Sequence, residues 1–245
     1  MHAMFKRHTD EVTSISFSPD GHSLVSGSRD CSVCIWNIRD GSPKELPVTD
    51  DADYFLSVVF SPDGRYIAAG DLKTSLWIWD SRTHKLVANL SGHSRPVWCV
   101  EYTPDGEGLT SGSSDTTVRY WDVSSLGIHE ARETAVPRHS FPLIQSFSGH
   151  TVRFYFYFIA CSLSRHPHLQ NTVYSIAFFP SNDERIVTAS RDGSVRVWDI
   201  RTGVWQLVVQ GHTESITAVD VSRTENFLVT ASVDHHVTLW RYEVF

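Results

Sequence analysis

Five copies of one short phrase take up nearly all of this 245-residue chain. Each copy ends in a tryptophan: Trp36, Trp79, Trp121, Trp198 and Trp240. Three of the four steps between them are 43, 42 and 42 residues. In four copies an aspartate stands six residues before the tryptophan, at Asp30, Asp115, Asp192 and Asp234. The same four open with a histidine, at His8, His93, His150 and His212. A period of this length marks units that cannot bury a hydrophobic face alone and must pack against copies of themselves.

Residues 9–39 show how one copy folds. Val12, Ile15 and Phe17 alternate as in a short strand, and Ser18-Pro19-Asp20-Gly21 then reverses the chain. A second strand runs through Leu24 and Val25 to Ser28, Asp30 opens another turn, and a third strand from Val33 to Ile38 carries Trp36. A fourth follows the tryptophan, as in Lys85 to Leu90 and Val204 to Val209. Short strands with turns every eight to twelve residues predict an all-β fold, a β-propeller of four-stranded blades. Repeats are expected over 8–40, 51–82, 93–123, 150–200 and 212–242, as one propeller over 1–245. Ala3 to Arg7 is expected as a fourth strand that pairs with the terminal strand Val237 to Tyr242 and closes a ring of five.

His8, Ser26 and Asp30 offer the ingredients of a nucleophilic triad, as do His93, Ser111 and Asp115. The later copies place Thr188 and Thr230 where the serine stood. A catalytic site occurs once in one cleft, whereas this set recurs with the blade period. The residues are therefore expected to brace strands and loops around the tryptophans, and no catalytic residue is assigned. The second copy supports this, because Asp51 and Lys73 replace both the histidine and the turn aspartate while Trp79 stays. Losing both ends together is expected of a structural unit, since half a buried network is worse than none. Lys73 and Asp51 are expected to form an exposed pair. Cys31-x-x-Cys34 lacks the second Cys/His pair that zinc requires, so both are read as small core residues and no metal is assigned.

A net charge of −7 argues against a broad nucleic-acid surface, which needs clustered Lys and Arg, though an acidic protein can bind basic tails. Four cysteines fit a reducing compartment, and the opening residues lack the apolar core of a signal peptide. The longest apolar run, Phe154 to Cys161, is too short for a membrane span. Nucleus or cytoplasm is expected rather than secretion, with no membrane, cofactor or small-molecule substrate.

The step from Trp121 to Trp198 is 77 residues and holds two insertions. One, over 123–142, reads as a polar surface loop joining the third and fourth strands of a blade. The other, Val152 to Gln170, separates His150-Thr151 from Asn171-Thr172-Val173, and removing its nineteen residues restores the register. It carries Phe154-Tyr155-Phe156-Tyr157-Phe158-Ile159, aggregation-prone strand material in a loop position. Val codons can begin GT and Gln codons can end AG, so it reads as an intron translated in frame. An apolar partner-binding loop is the alternative.

The Gly-His…Asp…Trp-Asp pattern resembles WD-repeat proteins over the whole chain. Within that family the order of irregularities looks most like the propeller of the fungal Tup/Groucho-type general transcriptional corepressors. The second repeat lacks its Gly-His and reads Tyr66-Ile67-Ala68-Ala69-Gly70, an insertion follows the third tryptophan, and the chain finishes Trp240-Arg241-Tyr242. Such corepressors have seven blades, of which these five match the last five, so the ring is either five-bladed or an incomplete seven. The resemblance implies a non-enzymatic platform that binds transcriptional repressors, co-repressor subunits or histone tails without touching nucleic acid directly. Its binding face maps here onto Thr13, Leu56, Trp98, Tyr174 and Thr217, with Arg29 and Arg191. Trp98 and Tyr174 lead that set, since aromatic side chains concentrate interface energy. A cytoplasmic WD-repeat adaptor in ubiquitin-ligase, signalling or trafficking complexes is the alternative.

Overall fold

The structure, a computed structural model, describes residues 4–127, 143–148, 172–180 and 182–242. Its strands form five antiparallel sheets, one per repeat. The first holds β1 (Val12–Phe17), β2 (Ser23–Ser28), β3 (Val33–Asn37) and β4 (Pro43–Glu45). The second holds β5 (Phe55–Phe60), β6 (Tyr66–Asp71), β7 (Ser75–Asp80) and β8 (Leu86–Ser91). The third holds β9 (Val97–Tyr102), β10 (Gly108–Ser113), β11 (Thr117–Asp122) and β12 (Leu143–Ser148). The fourth holds β13 (Val173–Phe179), β14 (Asn182–Ser190), β15 (Ser194–Asp199) and β16 (Trp205–Gln210). The fifth has three strands, β17 (Ile216–Val221), β18 (Phe227–Ser232) and β19 (Val237–Arg241). Each sheet runs in sequence order, as propeller blades do.

Turn chemistry sets this meander. In the first blade Gly21 has φ of 69°, a left-handed conformation that suits glycine, and its amide donates to the Ser18 carbonyl at 2.9 Å. The Asp20 carboxylate accepts from Ser18 Oγ at 2.6 Å and from the His22 amide at 2.9 Å. The second turn also needs a left-handed residue, one after each turn aspartate: Cys31, Thr116, Gly193 and His235. Only one of these four is glycine, so the backbone here is held by its neighbours against side-chain preference.

Two compact units can be distinguished, Met1–Ser111 with Arg119–Ser146, and Gly112–Val118 with Phe147–Phe245. In each, the core lies between sheets. Val25, Val33, Ile35 and Leu46 of the first blade pack on Phe55, Val58, Phe60, Trp77 and Trp79 of the second. Ala68, Leu76, Ile78 and Leu90 of the second pack on Val97, Val100, Tyr102 and Leu109 of the third. In the other unit Ala177, Phe179, Val187 and Val197 of the fourth blade meet Ile216, Val219, Val221 and Leu228 of the fifth.

The expected composite blade is not formed among the described residues. The fifth sheet has no fourth strand, and residues 4–8 are not a strand. They lie instead along the first blade. Phe5 stacks on Trp36 with centroids 5.5 Å apart, and Arg7 pairs with Glu45 beside β4. The indole of Trp36 offers this segment an apolar face within its own blade, and the stacked Phe5 ring takes it. The third-blade insertion does join β11 to β12. Its beginning is docked, since Ser124–Gly127 makes a 3₁₀ turn with Val123 and Leu126 buried in the core. The insertion 152–170 lies outside the described residues.

Candidate functional site

The recurrent polar residues converge within blades. In the first, the His8 ring lies between Asp30, at 3.0 Å from Nδ1, and Ser26, at 2.7 Å from Nε2. Trp36 Nε1 donates to Ser26 Oγ at 2.7 Å. Ser32 Oγ donates to Asp30 Oδ1 at 2.5 Å and touches His8 Nδ1 at 3.0 Å. The fifth blade repeats the set: His212 lies 2.9 Å from Asp234 and 2.7 Å from Thr230, which accepts from Trp240 Nε1 at 2.9 Å. In the third, His93 lies 2.7 Å from Ser111, which accepts from Trp121 at 2.9 Å, while Asp115 accepts from Thr117 Oγ1 at 2.6 Å. In the fourth, Trp198 donates to Thr188 at 2.8 Å and Ser194 Oγ to Asp192 at 2.6 Å. His150 lies outside the described residues.

This geometry does not suit nucleophilic attack. Ser26 Oγ is buried and already engaged by an indole N–H and an imidazole, leaving no approach for a substrate carbonyl. Burial opposes ionisation of Asp30, yet hydrogen bonds from Ser32, the Thr9 amide and His8 outweigh it and hold its carboxyl at about 2. Asp234 is likewise held well below the usual carboxylate range, against its burial, by His212 and the Thr213 and His236 amides.

The second blade solves the same problem with other residues, and sequence reasoning missed them. Asp71, fully buried, accepts from Trp77 Nε1 at 2.9 Å and from the Thr74 and Ser75 amides at 2.9 and 2.8 Å. Burial pushes its carboxyl up despite those three donors. Trp79 Nε1 instead donates to the Pro47 carbonyl at 2.7 Å, and Trp77 stacks on Trp79 with centroids 6.3 Å apart. The signal was present, since Asp71 stands six residues before Trp77, the same interval two places early. Lys73 reaches Asp51 through its backbone carbonyl, at 2.9 Å, rather than through a carboxylate pair. Of the paired cysteines, Cys34 is buried, which pushes its thiol up to about 11. Cys31 is half-buried in the left-handed turn rather than in the core.

The expected binding residues share a local cause that sequence reasoning also missed. Thr13, Leu56, Tyr174 and Thr217 each sit where the pairing of first and second strands slips by one residue. A bulge re-aims the extra side chain off the ladder, and such devices concentrate near functional surfaces. Trp98 holds the equivalent place in β9 and is half-buried, as are Leu56 and Tyr174. Thr13 is partly spoken for, because its hydroxyl donates to the Gly27 carbonyl at 3.0 Å and to that of Phe55. Thr217 donates to the Ala231 carbonyl at 3.3 Å. Arg29 pairs with Glu11 at 2.7 Å on the surface, and the Arg191 amide donates to Thr172. At the other end of β1, a groove between the first two blades is lined by Asp20, Asp63, Arg65 and Arg82. Its mixed charges do not favour one sign of ligand.

The WD domain, G-beta repeat family matches at residues 2–37, 48–80, 84–122, 159–199 and 203–241. The chain belongs to the WD-repeat family. An uncharacterized WD repeat-containing protein of Schizosaccharomyces pombe is 26% identical, over 96% of this chain and 55% of its own length. The nuclear distribution protein nudF of Emericella nidulans is 31% identical, over 65% of this chain and 38% of its own. Transducin beta-like protein 3 of Rattus norvegicus is 24% identical, over 98% and 27%. The chain thus spans about half or less of these relatives. The latter two are a nuclear distribution protein and a transducin beta-like protein, so the narrower resemblance to Tup/Groucho corepressors is unsupported, whereas the WD-repeat assignment stands.

Proposed function

We propose that this WD-repeat chain is a non-catalytic protein-interaction module of an adaptor, presenting the bulged ends of its first strands to another protein. One observation carries the reading: the same one-residue slip occurs in four blades and places Thr13, Leu56, Tyr174 and Thr217 at matching positions. Among the described residues, the recurrent serine, threonine and aspartate side chains are engaged by histidine and tryptophan inside the blades, which supports a role for the surface. Residues 1–245 are taken as one propeller, and the blade-by-blade repetition supports that. An adaptor role in signalling or trafficking complexes accords better with relatives named for nuclear distribution than a corepressor role does. Nucleus and cytoplasm are both compatible with this reading.

Trp98 is the leading contact, with Leu56 at the matching position of the preceding blade. Immobilised wild-type chain and Trp98→Ala are compared for the proteins each retains from a cell extract, identified by mass spectrometry. The variant is expected to lose at least one abundant wild-type partner while its melting temperature stays within a few degrees. Unchanged partners with a large fall in melting temperature would place Trp98 in the core and refute its role. Captured proteins bound to chromatin would favour the corepressor alternative, and components of signalling or transport complexes the adaptor.

A further inference from the structure

The groove at the seam between the first two blades exists because one side chain there is small. Ser23 stands two residues after the turn glycine Gly21 and pairs with Asn37 of β3. Tyr66 holds the same place in the second blade, two residues after Gly64, and pairs with Asp80 of β7. At the seam between the second and third blades Tyr66 is buried in one core with Ile78 and Tyr102. Their counterparts at the first seam, Ser23, Ile35 and Phe60, line a cavity of about 450 Å³ instead. A serine cannot fill the space that a tyrosine fills, so the first seam stays open where the second is closed. The volume falls within the range of ligand pockets, about 300–1,000 Å³.

The floor of the cavity is apolar, formed by the buried side chains of Ile35 and Phe60, and its walls are the two turns that hold Asp20 and Asp63, with Arg82. Each turn aspartate spends one oxygen on its own turn. Asp20 Oδ1 accepts from Ser18 Oγ and the His22 amide, and Asp63 Oδ1 accepts from Ser61 Oγ at 2.6 Å and the Arg65 amide at 3.0 Å. The Oδ2 atoms of both, and the Arg82 guanidinium, have no partner among the described residues. Arg65 is held within the chain, by Asp80 at 3.8 Å and over the Tyr66 ring at 5.2 Å. Two carboxylate oxygens and one guanidinium are thus left for a ligand that carries both signs of charge.

We propose that this groove takes an extended peptide segment of another protein in which an arginine stands beside an acidic residue. The arginine stem lies along Phe60 and Ile35, since long basic side chains cover apolar surface while their heads stay polar. Its planar guanidinium meets Asp20 and Asp63, a match that the fork geometry favours over a lysine. The neighbouring carboxylate meets Arg82 in a charge-assisted pair. The groove lies at the far end of β1 from Thr13, so it is a second docking site and does not depend on the bulged ends.

Titration of the full nitrogen-15-labelled chain with the acetylated, amidated peptide Gly-Ser-Gly-Arg-Asp-Gly-Ser-Gly, followed by amide chemical shifts, tests this. Saturable shifts are expected at the amides of Asp63, Gly64 and Ser81 with millimolar peptide, and none with Ala-Ala in place of Arg-Asp. Ser23→Tyr fills the groove with the side chain that the next seam already holds. The Ser23 hydroxyl has no partner among the described residues, so nothing is stranded. This variant is expected to keep its melting temperature and lose the shifts. Asp20→Asn with Asp63→Asn serves if the tyrosine unfolds the chain, because asparagine keeps the turn's acceptor oxygen and removes the charge. Binding about tenfold weaker is expected of it. A wild type without shifts at those amides overturns the proposal. So does equal binding by a folded Ser23→Tyr, or by the Ala-Ala peptide. Free arginine that binds as well as the peptide would make the groove a small-molecule site and overturn it too.

Discussion

Ser26 serves two neighbours at once, lying 2.7 Å from both His8 Nε2 and Trp36 Nε1. Ser26→Ala orphans a buried indole N–H and an imidazole nitrogen together, and each lost partner costs about 1–3 kcal/mol. Ser26→Thr keeps the hydroxyl, and Thr188 and Thr230 fill the same role in later blades. Urea unfolding is expected to show a clear loss for the alanine variant and little for the threonine. Acid titration probes the carboxylate at the other end of the network. The Asp30 carboxyl is depressed to about 2, so in the unfolded chain it binds its proton first. Its contribution is present above the unfolded value near 4 and is lost as pH falls towards 2. Asp30→Asn is expected to flatten the fall in stability over that window, and an unchanged slope would show the carboxylate adds nothing. Asp71 has the opposite sign, because burial raises its carboxyl and acidification relieves the buried charge. The bracing residues were legible because they recur at fixed intervals. Asp71 was not, because alignment by the last tryptophan directs attention to Lys73, two residues away from the acid that holds Trp77.

Elements were legible where residue type and turn chemistry agree. The Ser-Pro-Asp-Gly turn ends β1 as expected, and the fourth strands Leu86–Ser91 and Trp205–Gln210 lie within a residue of the expected 85–90 and 204–209. The bulges escaped notice because Thr13, Leu56, Tyr174 and Thr217 are of three different residue types. A slip in pairing belongs to two strands and has no residue-type signature in one. Seams escaped for a similar reason. A Cβ on Gly70 would stand 2.7 Å from Val97 Cγ1 and 3.0 Å from the Val97 carbonyl oxygen, so hydrogen is the side chain that lets the second and third blades close. Gly70→Ala is expected to destabilise the fold by about 1–3 kcal/mol through overpacking, measured by chemical denaturation. The fourth blade has Ala189 at the equivalent place, so the requirement is local to a seam and not to the motif. A neutral Gly70→Ala would mean that β9 shifts freely against β6.

At the scale of the whole chain, repetition predicts which stretch is dispensable. In the first, third and fifth repeats, the histidine stands four residues before the first strand: His8 before Val12, His93 before Val97, and His212 before Ile216. That short span lets one blade's histidine reach the serine or threonine of its own second strand. In the fourth repeat His150 stands 23 residues before Val173, and deletion of the nineteen from Val152 to Gln170 restores the interval of four. Ordering a longer connection carries a closure cost that grows slowly with length, while its apolar run adds an aggregation hazard. Deleting 152–170 is therefore expected to leave the melting temperature equal or higher and to raise the soluble yield. Thermal unfolding followed by tryptophan fluorescence checks the first, and the soluble fraction after expression the second. A deletion variant that unfolds at a markedly lower temperature would show that these nineteen residues are part of the fold. Unchanged stability with loss of a binding partner would instead make them the apolar docking loop.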